Sequence, residues 1–124
     1  MSRKSKCYLR KPIECYSVTF HDDGDKGIGT MLVIEFCDGK FSMEKVNWGT
    51  EEDVERSRDG EVEMTWIFDD ENTQKLMLRT GTHNGKELIE EMNNRFRKHK
   101  NHADEYIERF CEEKEITYRR NVHY

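Results

Sequence analysis

The sequence predicts an α+β domain of two layers: a mostly antiparallel sheet of four to five strands, with two or three helices from the C-terminal half packed on one face. Three observations predict it. Val62, Met64, Trp66 and Phe68 alternate with Glu61, Glu63, Thr65 and Ile67, the period of two of a half-buried strand. After Phe68 the period changes, and Leu88, Ile89, Met92 and Phe96, then Ala103, Tyr106, Ile107 and Phe110, recur three and four apart as on helix faces. Asp38-Gly39 and Asp59-Gly60 punctuate the first half with a dipeptide suited to tight turns between strands.

In chain order, residues 1–6 are expected to form a disordered basic tail and residues 7–124 a single domain. Cys7–Phe20 reads as extended, with Tyr16, Val18 and Phe20 on one face and Pro12, the only proline, at an edge or bend. His21–Gly29 is a polar, glycine-punctuated turn. Met31–Cys37 carries bulk on both faces, as a central strand does. Phe41 and Met43 resume the alternation after the Asp38-Gly39 turn. Val46 and Trp48 fall out of phase with them, which predicts a bulge near Glu44–Lys45. Thr50-Glu51-Glu52-Asp53 resembles a capping box opening a short helical turn that runs to Ser57.

The strand Glu61–Phe68 follows, then a helix capped by Asp69 or Asp70 that runs to about Arg79 and stops at Gly81. A second helix spans roughly Lys86–Lys98. A third opens at Asn101 or His102 and ends near Glu113. Ile116, Tyr118, Val122 and Tyr124 suggest a returning strand. The expected core is Tyr16, Phe20, Trp66, Phe68, Phe96, Tyr106, Ile107 and Phe110.

A chain of 124 residues suits one domain and is too short for two ordinary ones. Hydrophobic residues make up 34% and charged residues 38%, so the core must lean on six Phe, five Tyr and two Trp. Dimerisation would supply the apolar area that the monomer lacks, and a homodimer is expected ahead of a monomer. The longest apolar run, Met31–Ile34, is far below a membrane span, and the basic N-terminus lacks the apolar region of a signal peptide. A cytoplasmic location is therefore expected. Cys7, Cys15, Cys37 and Cys111 lack the density of a secreted disulfide scaffold and are expected as reduced thiols. Cys15 and Cys37, in strands, read as small buried apolar residues.

Chemical signatures are weak. The turn Asp22-Asp23-Gly24-Asp25-Lys26-Gly27 fits no calcium-loop register, because glycines and lysine fall at ligand positions. Gly24, Gly27 and Gly29 lead into a strand instead of a helix N-terminus, so they do not form a phosphate cradle. His99 and His102 lack the close Cys pair common at zinc sites. Cys111 follows Phe110 on a helix's core side, where burial outweighs activation. Neither catalytic residues, a metal nor a cofactor is expected. Glu35, inside the most apolar strand, is expected to point to solvent at a sheet face.

Charge is unevenly distributed. Arg3, Lys4, Lys6, Arg10 and Lys11 precede any acid, whereas residues 51–63 are dominated by Glu51, Glu52, Asp53, Glu55, Asp59, Glu61 and Glu63. With a net charge of −5, this points to a small acidic cytosolic protein that acts by stoichiometric binding to a protein partner. Glu51, Glu52, Asp53 and Glu55 are the expected contact residues. Immunity proteins and mobile-element-encoded inhibitors share this composition, an analogy at the level of class alone. A second expectation is an accessory nucleic-acid binder using Arg95, Arg97, Lys98, Lys100, Arg119 and Arg120, if the last strand packs beside the second helix. A third is a small enzyme or ligand-binding protein whose pocket residues are dispersed in sequence.

Overall fold

Asp38 and Gly39 both take positive φ, 52° and 80°, the conformation of a two-residue hairpin turn between twisted strands. The computed structural model describes residues 13–22, 28–49, 55 and 60–124. Among these, β1 (Cys15–Asp22), β2 (Gly29–Cys37), β3 (Lys40–Trp48), β4 (Glu61–Ile67) and β5 (Arg119–His123) form one sheet in sequence order, with every neighbouring pair antiparallel. The connection from β4 to β5 carries α1 (Asp70–Thr80), α2 (Gly85–Phe96), a 3-10 segment (Arg97–His102) and α3 (Ala103–Glu113). The fold is α+β, with the helices packed against the sheet. Residues 1–12, which include the expected tail and Pro12, and residues 50–54 and 56–59, which include the whole expected capping box and all but Glu55 of the turn that follows it, lie outside the described residues.

The helix boundaries follow from local chemistry. The Asp69 carboxylate accepts the Asn72 amide at 2.8 Å, and Gly81, at φ 70°, ends α1 in the left-handed conformation that glycine adopts without steric cost. The Asn84 side chain accepts the Glu87 amide at 2.9 Å, while the Glu87 carboxylate accepts the His83 amide at 2.9 Å. Lys100, at φ 51° and ψ −122°, breaks the helical path after α2 and lets α3 start at Ala103.

Register assigns the two faces of the sheet. Val18, Ile34, Met43, Trp66 and Arg120 lie opposite one another along one row, and Tyr16, Phe36 and Phe41 along another. This face meets Leu76, Leu88, Met92, Phe96, Ile107 and Ile116, and together they form the core. The α2 helix lies over β1 and β2, as does the 3-10 segment. Trp66 is 1% exposed, and Phe20, Phe68, Phe96 and Ile107 are buried as the sequence predicts. Tyr106 is not in the core: it is exposed, and its ring stacks on His99 at 3.5 Å between centroids. Phe110 is half-buried at the core margin.

Two expectations are corrected. The irregularity in strand pairing lies in β1, where register shifts between Thr19 and His21, while β3 runs unbroken against both neighbours. The core-face position that alternation reserves for bulk in β3 belongs to Lys45. Its ammonium donates to the Asn101 carbonyl at 2.8 Å and to Asp104 at 3.1 Å, both beneath the sheet. Val46 and Trp48 therefore face the other way. Nor are Cys15 and Cys37 buried apolar fillers or free thiols: they pair directly across β1 and β2 and form a disulfide, with Cys15 exposed.

Candidate functional site

The second face of the sheet, which none of the described helices covers, carries Met31, Val33 and Glu35 from β2, Ser42, Glu44, Val46 and Trp48 from β3, and Glu61, Glu63, Thr65 and Ile67 from β4. Strand alternation puts them there, because each is one residue from a core-facing neighbour. The apolar members are half-buried except Val46, which is buried, so the face is partly hydrophobic and interspersed with acids. Val33, Glu35, Ser42, Met43, Glu44, Thr65 and Ile67 line a depression of about 290 Å³.

Glu35 and Glu44 line this depression, and Glu63 lies beside Glu44 just outside it. Glu35 pairs with Ser42, Glu44 with Val33 and Thr65, and Glu63 with Val46, so Glu44 is the diagonal neighbour of both other acids. Partial burial, reinforced by the negative charges of Glu63 and then Glu35, holds the Glu44 carboxyl above its ordinary range. Among the described residues no ion pair relieves this repulsion. Glu35 is exposed on this face, as expected from sequence.

Of the acids expected to make contacts, Glu51, Glu52 and Asp53 lie outside the described residues and Glu55 is exposed. The same acidic stretch continues into β4, where Glu61 and Glu63 join the uncovered face. The cations do not form one patch. Arg97, Lys98 and Lys100 are exposed on the 3-10 segment by β1 and β2, while β5 is at the opposite edge beside β4. Arg95 is bound to Glu91 at 2.6 Å and lies 5.6 Å from the Phe110 ring centre. Arg119 shares the uncovered face, and Arg120 the helix-covered one.

A polar cluster at the seam between α3 and the sheet was not legible in the sequence. The Trp66 indole donates to Glu108 at 2.7 Å, and the Arg120 guanidinium lies 5.5 Å from the Trp66 ring centre and 3.9 Å from Glu108. Tyr118 is pushed up to about 12 by burial first and by the Glu108 charge second. Beside it, Glu108, Glu112, Glu115, Ile116, Thr117 and Tyr118 line a cleft of about 350 Å³. A second cleft, of about 390 Å³, lies between Lys40, Asp69, Asn72 and Arg119. Cys111 is buried and its thiol is pushed up to about 12, mainly by that burial, which leaves no thiolate for nucleophilic attack at neutral pH. His99 stacks on Tyr106 and His102 meets Glu105 at 2.8 Å; among the described residues no cluster of His, Cys, Asp and Glu is arranged to hold a metal. No described helix is long and apolar enough to cross a membrane. Comparison with protein-family models, with curated proteins and with solved structures found no match.

Proposed function

We propose that the protein is a small acidic interaction module that binds the basic surface of a protein partner through the face of its sheet that the described helices leave open. The observation that carries this reading is the diagonal cluster of Glu35, Glu44 and Glu63 around half-buried apolar side chains. Crowded carboxylates cost the free protein stability, and a cationic partner that neutralises them removes that cost on binding. Half-buried apolar side chains interleaved with carboxylates give a partner both apolar area to cover and charge to pair. The acidic stretch 51–55 leads into β4 and would extend the negative field that steers the partner. An inhibitor or immunity protein acting in the cytoplasm is the biological setting that suits such a module.

The test is affinity capture followed by binding measurements on the captured partner. Wild type and an Arg97→Gln/Lys98→Gln/Lys100→Gln variant are expected to bind it alike, and Glu35→Lys/Glu44→Lys/Glu63→Lys to bind at least about a hundredfold more weakly. Reversing Glu51, Glu52, Asp53 and Glu55 should slow association more than it speeds dissociation. The reading fails if the face variant binds normally. It also fails if the protein retains DNA or RNA at physiological salt and loses it in the glutamine variant, the signature of phosphate contacts.

A further inference from the structure

The Cys15–Cys37 bond joins the start of β1, the edge strand among the described residues, to the end of β2 beside it. The Asp38 amide donates to the Glu14 carbonyl at 3.3 Å, immediately outside the pair. This makes Cys15 and Cys37 a non-hydrogen-bonded pair, the kind in which opposite side chains approach most closely. Both sulfurs are on the face that the described helices leave uncovered, and Cys15 is solvent-exposed. The bond closes the open end of the β1–β2 hairpin. On the opposite face of the sheet α2 and the 3-10 segment pack on β1 and β2, with Gly85 of α2 close against Phe36 beside the bond, and Phe20 is buried towards the other end of β1.

We propose that this bond is a reversible thiol–disulfide clasp, opened by thiols of the glutathione class and closed by the corresponding disulfide. An exposed disulfide is open to thiolate attack, whereas a buried one is shielded. A glutathione thiolate attacks the exposed Cys15 sulfur, forms a mixed disulfide and expels Cys37 as a thiolate, which takes a proton. A second glutathione thiolate attacks the glutathione sulfur of that mixed disulfide and expels Cys15. Two glutathione thiols are oxidised to one glutathione disulfide, and the cystine is reduced to two cysteine thiols. Cys111 takes no part, because its buried thiol stays protonated.

Opening the clasp leaves the Cys15↔Cys37 pair, which exchanges no hydrogen bond of its own, to the flanking backbone hydrogen bonds and the packing of Tyr16 and Phe36, on a strand that is at the sheet edge among the described residues. The core face of β1 and β2 keeps its contacts with the helices. The switch is therefore local: it sets how firmly the first residues of the edge strand are attached, without melting the domain. This inference does not depend on the identity of the partner proposed above.

The protein is equilibrated in glutathione buffers of varying thiol-to-disulfide ratio, alkylated rapidly in the folded state near neutral pH and mapped by mass spectrometry. A Cys7→Ser variant is run in parallel, which removes exchange through Cys7. Cys15 and Cys37 are expected to gain alkyl groups together as the ratio rises, with Cys111 unmodified under native conditions. In the reduced form, amide exchange at residues 15–17 and 36–37 should rise about tenfold while the far-ultraviolet circular dichroism is unchanged. Cys15→Ser/Cys37→Ser should reproduce that exchange pattern in any buffer. The proposal is overturned if the pair never forms in excess glutathione disulfide, or if millimolar glutathione cannot open it. Equal exchange in the two forms, or unfolding on reduction, overturns it as well.

Discussion

Lys45 and Asp104 carry opposite charges with side chains only 13% and 9% exposed, so each depends on the other for compensation. Lys45→Met is expected to cost about 3–5 kcal/mol in urea unfolding, because it strands a buried carboxylate, and Lys45→Met/Asp104→Leu should recover most of that loss. Glu44 has the opposite balance. Its raised pKa means that the folded state holds this proton more tightly than the unfolded chain does. That contribution is fully present below the ordinary value of 4.5 and is lost as pH rises through the raised one. Glu44→Gln should therefore stabilise the protein at pH 7 by about 0.5 kcal/mol, and have no effect near pH 3, in thermal unfolding followed at both values. Lys100 occupies a backbone conformation that L side chains rarely adopt, so Lys100→Gly is expected to raise stability by about 1 kcal/mol. Sequence alone identified Trp66 as core, because a bulky residue in strict alternation has one buried face to go to. It did not identify Lys45, because a lysine at an inward position looks like a break in the pattern unless its distant partner is known.

Elements were more legible than their irregularities. The Asp38-Gly39 turn, the stop at Gly81 and the change of period after Phe68 each rest on a few adjacent residues, and all three appear as predicted. The bulge was misplaced because the shift of phase at Val46 reflects which face carries bulk, not an extra residue in β3. The close approach of α2 to β2 was equally hidden. A Cβ added at Gly85 would collide with the Phe36 ring, so the first turn of the helix sits directly on that aromatic. Helix propensity by itself favours Gly85→Ala by about 1 kcal/mol. The clash should reverse the sign, giving a net loss of about 1–3 kcal/mol in urea unfolding, partly restored when Phe36→Leu is added.

At the scale of the whole molecule, the layered architecture was readable and the candidate surface was not. Glu35 drew attention because an acid inside an apolar strand needs an explanation, but Glu44 and Glu63 became its neighbours only through the register of three strands. The two cationic segments looked contiguous on the assumption that the last strand returns beside α2; its pairing with β4 puts it at the opposite edge. The homodimer expected from the modest apolar content is tested by sedimentation at high micromolar concentration, where a single monomer-sized species would exclude it.

Placing α1, α2 and α3 between β4 and β5 also imposes a schedule on folding. The first four strands pair with neighbours close in the chain, so each can zip onto the last as soon as its turn closes. The fifth must wait until the intervening helices have folded back, since only their return brings Arg119–His123 beside β4. All five of its residues are exposed, so little burial secures it once it arrives. The last strand to dock is then the first to detach, and its departure uncovers the backbone edge of β4, a ready template for mispairing with another chain. In native-state hydrogen exchange β5 should open at a lower free energy than β3, which has a neighbour on either side.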